Sequence, residues 1–399
     1  MFQTSPRFAL MGATALSAIA LSACGGGGGS DAPATPVSTM GTLAVSLTDA
    51  PACGFDAVNV TVSKLRVHRS EGASDLDAGW TDITLNPAKK INLLNLTNGV
   101  LEGLGQTSLE AGRYTQLRLV LDANGNTVVP TVGKTEQPLE TPSAVASGIK
   151  LVGNFEVSAG QKTDVVLDFD ACKSVLTRGK GSYVLKPVVK VLPVTLNGIS
   201  GYVSTALLGR SVQVSAQQNG QVVSATTPNA TTGEFFLSRL APGSYDVVIT
   251  ANDSAASVVA GVPVASTSTT TVLSTTAAPI LLAPGTNGAI GGTVTMNPAG
   301  SDAAYVSAKQ SFAAGPTVTI RYQGADLATG AYTIANLPVT APQFATYTST
   351  LPLSFSASTA APAGKYRVEA AAAGYVTKSV ENVDITTANQ SNVNLLLTR

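Results

Sequence analysis

Strict alternation of apolar and polar residues restricts this chain more than any other feature. Residues 41–48 read Gly-Thr-Leu-Ala-Val-Ser-Leu-Thr, the period of two that sends every second side chain to one face of a strand. Residues 57–69 extend the pattern over a longer run, and its phase slips between Val62 and Leu65, which predicts a bulge. Further strands are predicted near 80–85, 114–122, 149–157, 163–169 and 183–192. Asp49-Ala50-Pro51 reads as a turn, because Asp caps its own backbone and Pro cannot continue a ladder. Only residues 93–104, with mixed spacing and Gly99 inside, leave room for one short helix. The expectation is an all-β chain of tandem antiparallel sandwiches, and 399 residues suffice for two to four domains.

The C-terminal half repeats itself. Ile199-Ser200-Gly201-Tyr202-Val203 opens one unit and Ile290-Gly291-Gly292-Thr293-Val294 opens the next. Gly233-Glu234-Phe235-Phe236-Leu237-Ser238-Arg239-Leu240 leads into Ala241-Pro242-Gly243-Ser244-Tyr245. Its counterpart is Gly330-Ala331-Tyr332-Thr333-Ile334-Ala335-Asn336-Leu337-Pro338. There the Pro-Ala-Gly-x-Tyr element is displaced to Pro362–Tyr366 by a Thr/Ser-rich insertion at about 339–361, which reads as a mobile loop. The units at 196–276 and 287–399 resemble carboxypeptidase regulatory-like domains, which are transthyretin-type β-sandwiches. In the motif, Gly permits the turn and Tyr starts the next strand, ring inward and hydroxyl at the rim. Ala111-Gly112-Arg113-Tyr114 repeats that element nearer the N-terminus.

Residues 41–193 resemble a family of uncharacterised domains known as DUF4382. The resemblance is carried by Leu47-Thr48-Asp49-Ala50-Pro51, by 111–119 (Ala-Gly-Arg-Tyr-Thr-Gln-Leu-Arg-Leu), by Leu167-Asp168-Phe169-Asp170-Ala171 and by Leu185-Lys186-Pro187-Val188. That family implies a boundary rather than an activity.

The N-terminus predicts an address. Arg7 precedes an apolar run from Phe8 to Ala20 that is too short to span a bilayer. Leu21-Ser22-Ala23-Cys24 resembles a bacterial lipobox. The resemblance implies a signal peptide at 1–23, cleavage before Cys24 and lipid on that cysteine; the alternative is a secretory leader whose Cys is incidental. Gly at position 25, rather than Asp, implies outer-membrane sorting by the rule for such lipoproteins. Residues 24–40, with Gly25–Gly29 and a Pro/Ala/Ser mixture, form a flexible tether of roughly 20 Å.

Two cysteines remain, Cys53 and Cys172. In an oxidising envelope an even pair predicts a disulfide, against the alternative of two separate thiols. Formal net charge is zero and only 12% of residues are charged, which argues against nucleic acid as a partner.

Chemistry is sparse. His68 is the single histidine, in a strand beside Arg66 and Arg69, which removes multi-histidine metal sites and leaves a solvent-facing residue. Asp49 and Asp56 flank Cys53, and Asp168 and Asp170 precede Cys172 on one strand face. Gathered by a disulfide, the four carboxylates would make a calcium site; the plain alternative is that Asp49 caps a turn and the others face solvent or pair with Lys173, Lys186 or Arg118. Used as paired acids, Asp49, Asp168 and Asp170 would make the first domain a hydrolase. Trp80, the sole tryptophan, reads as core, with a sugar-stacking platform as the alternative.

These features predict a non-enzymatic envelope lipoprotein with no cofactor beyond that calcium. It is expected at the outer membrane, facing the periplasm or the cell surface. Its modules would bind or space a partner, a glycan, peptidoglycan or an envelope protein. The alternatives are the carboxylate hydrolase and a protein-binding assembly factor.

Overall fold

The computed structural model describes residues 39–50, 54–179, 181–195, 197–313, 315–357 and 361–399. The expected signal peptide at 1–23, Cys24, the expected tether up to residue 38, and Cys53 lie outside these residues.

The chain is built from sandwiches, and antiparallel pairs dominate. In the first module a four-stranded sheet runs in the order Val189–Pro193, Lys162–Asp170, Met40–Ala50, Glu102–Glu110. Its central pair is parallel, with Leu47 opposite Leu167 and Asp49 opposite Phe169. Facing it is a larger sheet centred on Phe55–His68 and Gly112–Leu121. The alternation works as read: Leu43, Leu47, Leu117, Leu119, Leu167 and Phe169 fill the space between the sheets. The predicted bulge is present where the register shifts between Val62 and Lys64. That extra residue lets Val58, Val60, Val62, Leu65 and Val67 all point inward.

Residues 93–104 hold less helix than expected. A single 3₁₀ turn spans Leu93–Leu96, started by the Asn92 side chain accepting from the Leu94 N–H at 3.2 Å. The chain then enters the 102–110 strand.

The second and third modules share one strand order, which is the structural form of the sequence repeat. Each has a three-stranded sheet whose first strand sits centrally, Gly198–Tyr202 in one and Asn287–Asn297 in the other. Each also has a four-strand run: 221–226, 213–218, 243–250, 257–264 in the second and 317–324, 304–311, 365–372, 378–384 in the third. The paired glycines explain the motif. Gly233 and Gly330 have φ of +73° and +70°, and a Cβ would lie 2.3 Å from the Val203 carbonyl oxygen and 2.1 Å from that of Val294.

The turn-Tyr element also has a mechanical basis. Tyr114 donates to the Glu110 carbonyl at 3.0 Å and Tyr245 to the Ala241 carbonyl at 2.7 Å, each closing its own turn. In the third module the displaced Tyr366 instead donates to Pro338, across the insertion. That hydroxyl is buried, not at the rim.

The insertion is not a free loop. Its Gln343–Thr346 strand pairs in parallel with Ser257–Val264 and so extends the second module's sheet. Tyr347, Leu353 and Phe355 pack on that module's core. The apolar residues Phe344 and Ala345, set among threonines, supply the surface that docks it.

Candidate functional site

The three modules meet pairwise, and three of the carboxylates singled out from sequence, Asp49, Asp168 and Asp170, lie where they meet. Asp49 is buried, and its Oδ1 accepts the Ala171 N–H at 3.0 Å. It therefore caps the exit of the strand paired in parallel beside it. Asp170 caps the same short helix, Ala171–Ser174, through the Lys173 N–H at 3.0 Å, and its Oδ2 pairs with Lys173 Nζ at 2.9 Å. Cys172 is buried in that helix. The parallel register sets Ala50 beside Asp170, so the chain departs toward Cys53 from the strand end next to the one that leads to Cys172.

Asp168, on the same strand face as Asp170, points away from the first core toward the second module. Asp49 and Asp168 line a small crevice with Asn98, Thr226, Phe236 and Arg239. Burial pushes the Asp168 carboxyl up to about 6; the positive charges of Lys190, Arg239 and Lys173 oppose the shift and Asp170 reinforces it. Arg239 is itself buried and donates to Ser238 Oγ at 2.8 Å.

Asp56 corrects the calcium expectation. It sits exposed on the other sheet, accepting from Thr131 Oγ1 at 2.8 Å. Asp49 and Asp170 are already committed to backbone N–H groups and Lys173. Among the described residues no group of three or more His, Cys, Asp or Glu side chains is arranged to hold a metal. The hydrolase reading fails at this site on space, since the crevice has a volume of about 20 Å³, room for a water and not a sugar ring.

Trp80 is not core. It is half-buried at the end of the 69–80 loop, with Arg66 and Arg118 guanidinium carbons 4.9 and 5.1 Å from its ring centre and the His68 ring at 5.0 Å. Its Nε1 donates to the Ser74 carbonyl at 2.8 Å, which clamps the loop over the outer sheet face. His68 is likewise engaged: its Nδ1 accepts the Ser70 N–H at 2.9 Å.

Sequence reasoning missed the residues that join the modules. Asn98, in the left-handed region at φ +61°, donates its N–H to Thr226 Oγ1 at 2.8 Å, donates its amide to Glu234, and accepts from the Phe236 N–H. Lys190 Nζ donates to the Val223 carbonyl at 2.6 Å. Between the second and third modules, Gln217 is fully buried. Its side-chain amide donates to the Thr319 carbonyl at 2.7 Å and accepts the Thr319 N–H at 2.8 Å. Val248, Ala256 and Val258 of the second module belong to the third module's core. The third module also reaches the first: Tyr305 Oη donates to the Lys173 carbonyl at 2.7 Å, and Asp326 accepts from Gly179 N–H at 2.9 Å. Only the Asn98-Gly99 dipeptide carried a signal, as a turn former.

Fold and seams define a multi-module β-sandwich protein. Within it, residues 40–187 match the family described as a domain of unknown function, DUF4382, so the first module is that domain. No curated protein matches the chain. Among solved structures it is similar to the TIE protein of Bacillus anthracis (12% identity, 90% of this chain and 50% of that one, TM-score 0.16). It is also similar to the Corynebacterium diphtheriae major pilin SpaA (11% identity, 90% of this chain and 100% of that one, TM-score 0.20). A third is the pilus adhesin SpaC from Lactobacillus rhamnosus GG (10% identity, 90% and 44%, TM-score 0.15). The chain spans half the length of the TIE protein. Likeness at these scores carries no argument about function.

Proposed function

We propose that this protein is a non-enzymatic envelope lipoprotein: lipid on Cys24 holds it at the outer membrane, and its three modules act together as one stiff spacer that presents a binding surface. One observation carries the reading. Each module contacts both of the others directly, so the body from Thr39 to Arg399 cannot flex as beads on a string without breaking hydrogen bonds and a shared core. A chain whose chemistry is sparse and whose stiffness is built in suits display and spacing better than turnover.

The second and third modules are read as carboxypeptidase regulatory-like units on their shared strand order and their Gly and Tyr motifs. A Cys53–Cys172 disulfide would fasten the first module at the end where both strands exit. The Trp80 ring is shared with Arg66, Arg118 and His68, which weighs against its serving as a glycan platform. Protein partners are therefore the favoured class.

The anchoring is tested by metabolic labelling with a clickable fatty acid. Wild-type chain should carry label and sediment with outer membranes, whereas Cys24→Ser should carry none. Label on the variant, or wild type that is unlabelled and soluble, contradicts the reading.

A further inference from the structure

The seam between the first two modules is built differently from the seam between the last two. Among the described residues no β-ladder crosses it. It is closed by the 97–99 loop, by Lys190 reaching Val223, and by packing around Asp168. Each element packed on Asp168 brings defined charges. Its own strand brings Asp170, the parallel neighbour Asp49, the 189–193 strand Lys190, the 171–174 helix Lys173, and the end of the Glu234–Ser238 strand Arg239. The facing 221–226 strand brings none.

Those cations are largely engaged elsewhere. Lys190 donates to Val223, Lys173 pairs with Asp170, and Arg239 donates to Ser238. Closing the seam thus takes water from the Asp168 carboxylate and returns only partial compensation.

We propose that this seam is a proton-controlled joint, tighter when Asp168 is protonated and looser when it is ionised, while the second and third modules stay fused. The proposal goes beyond the spacer reading and is independent of lipid on Cys24. The sign follows from linkage. The carboxyl is raised to about 6 in the closed seam and returns toward 3.8 when the seam opens to water. Closure therefore takes up a proton. The gain is full below about pH 3.8 and is lost as pH rises through 6. Between pH 7.5 and 5 the closed-to-open ratio should grow about tenfold. For an envelope protein, acidification would tighten this seam and neutral conditions would loosen it, while the third module's bonds to Lys173 and Gly179 keep the first module attached.

Hydrogen exchange on the full chain tests this. The protection of the Asn98 and Phe236 amides is read relative to ladder amides of the 40–50 and 55–68 strands, with intrinsic chemical rates divided out. Wild type should show about tenfold greater relative protection at pD 5 than at 7.5, and Asp168→Asn should show the same protection at both. A flat wild-type ratio overturns the proposal, and so does an Asp168→Asn response equal to wild type. Seam amides that exchange only together with the ladder amides overturn it too, because the seam would then not open on its own. The wild-type series decides the matter by itself should the variant not fold.

Discussion

The second module makes two seams of different material. Against the third module it shares a sheet, through the 343–346 strand laid beside 257–264, and it shares a core, through Val248, Ala256 and Val258. Against the first module the seam is made of side-chain hydrogen bonds and of that module's Lys190 and half-buried Asp168 carboxyl. Shared apolar surface cannot be exposed without losing burial energy, whereas polar contacts can be exchanged for water at small net change. The contrast teaches which joint is permanent and which is adjustable.

The sharpest way to break that contrast is Gln217→Ala. It leaves the buried Thr319 N–H and C=O without partners, at a cost of about 3 kcal/mol. Calorimetry should then show the second and third modules melting together at lower temperature; separate transitions in the wild type would undo the claim of a shared core. Val258→Ala is next. It should remove about 2 kcal/mol from that same joint transition, with the first module unmoved. Asn98→Ala acts on the other seam, where it deletes two cross-seam side-chain bonds, to the Glu234 carbonyl and from the Phe236 N–H, and leaves the backbone bond to Thr226. A loss of about 1 kcal/mol is expected, seen as faster exchange at Phe236 with the joint transition unchanged. Lys190→Met is the mildest, under about 0.5 kcal/mol, since its lysine is exposed. By removing a positive charge that holds the Asp168 carboxyl down, it should shift the seam's pH response toward higher pH.

Much of the architecture was legible because it obeys local rules. Val62 and Leu65 betrayed a bulge through a phase slip, and Gly233 and Gly330 betrayed a repeat because only glycine tolerates that approach to a carbonyl oxygen. The 93–104 segment left room for one short helix; tertiary packing takes Leu93 and Leu96 into the core and leaves one 3₁₀ turn there. The insertion at 339–361 read as mobile on composition, yet Phe344 meets Phe312 with ring centres 4.9 Å apart. The site was legible only in part. Asp168 and Asp170 were placed on one face by the period of two. Asp49 was recognised as a cap, but its target lies 122 residues away. Gln217 and Thr319, 102 residues apart, carry no local signature, because a module surface that docks on another looks like any half-polar strand.

Small-angle X-ray scattering of the body from Thr39 to Arg399 tests the central claim most directly. Three modules in mutual contact should give a radius of gyration of about 21 Å. A value near about 30 Å, as for three sandwiches strung in a line, would contradict it.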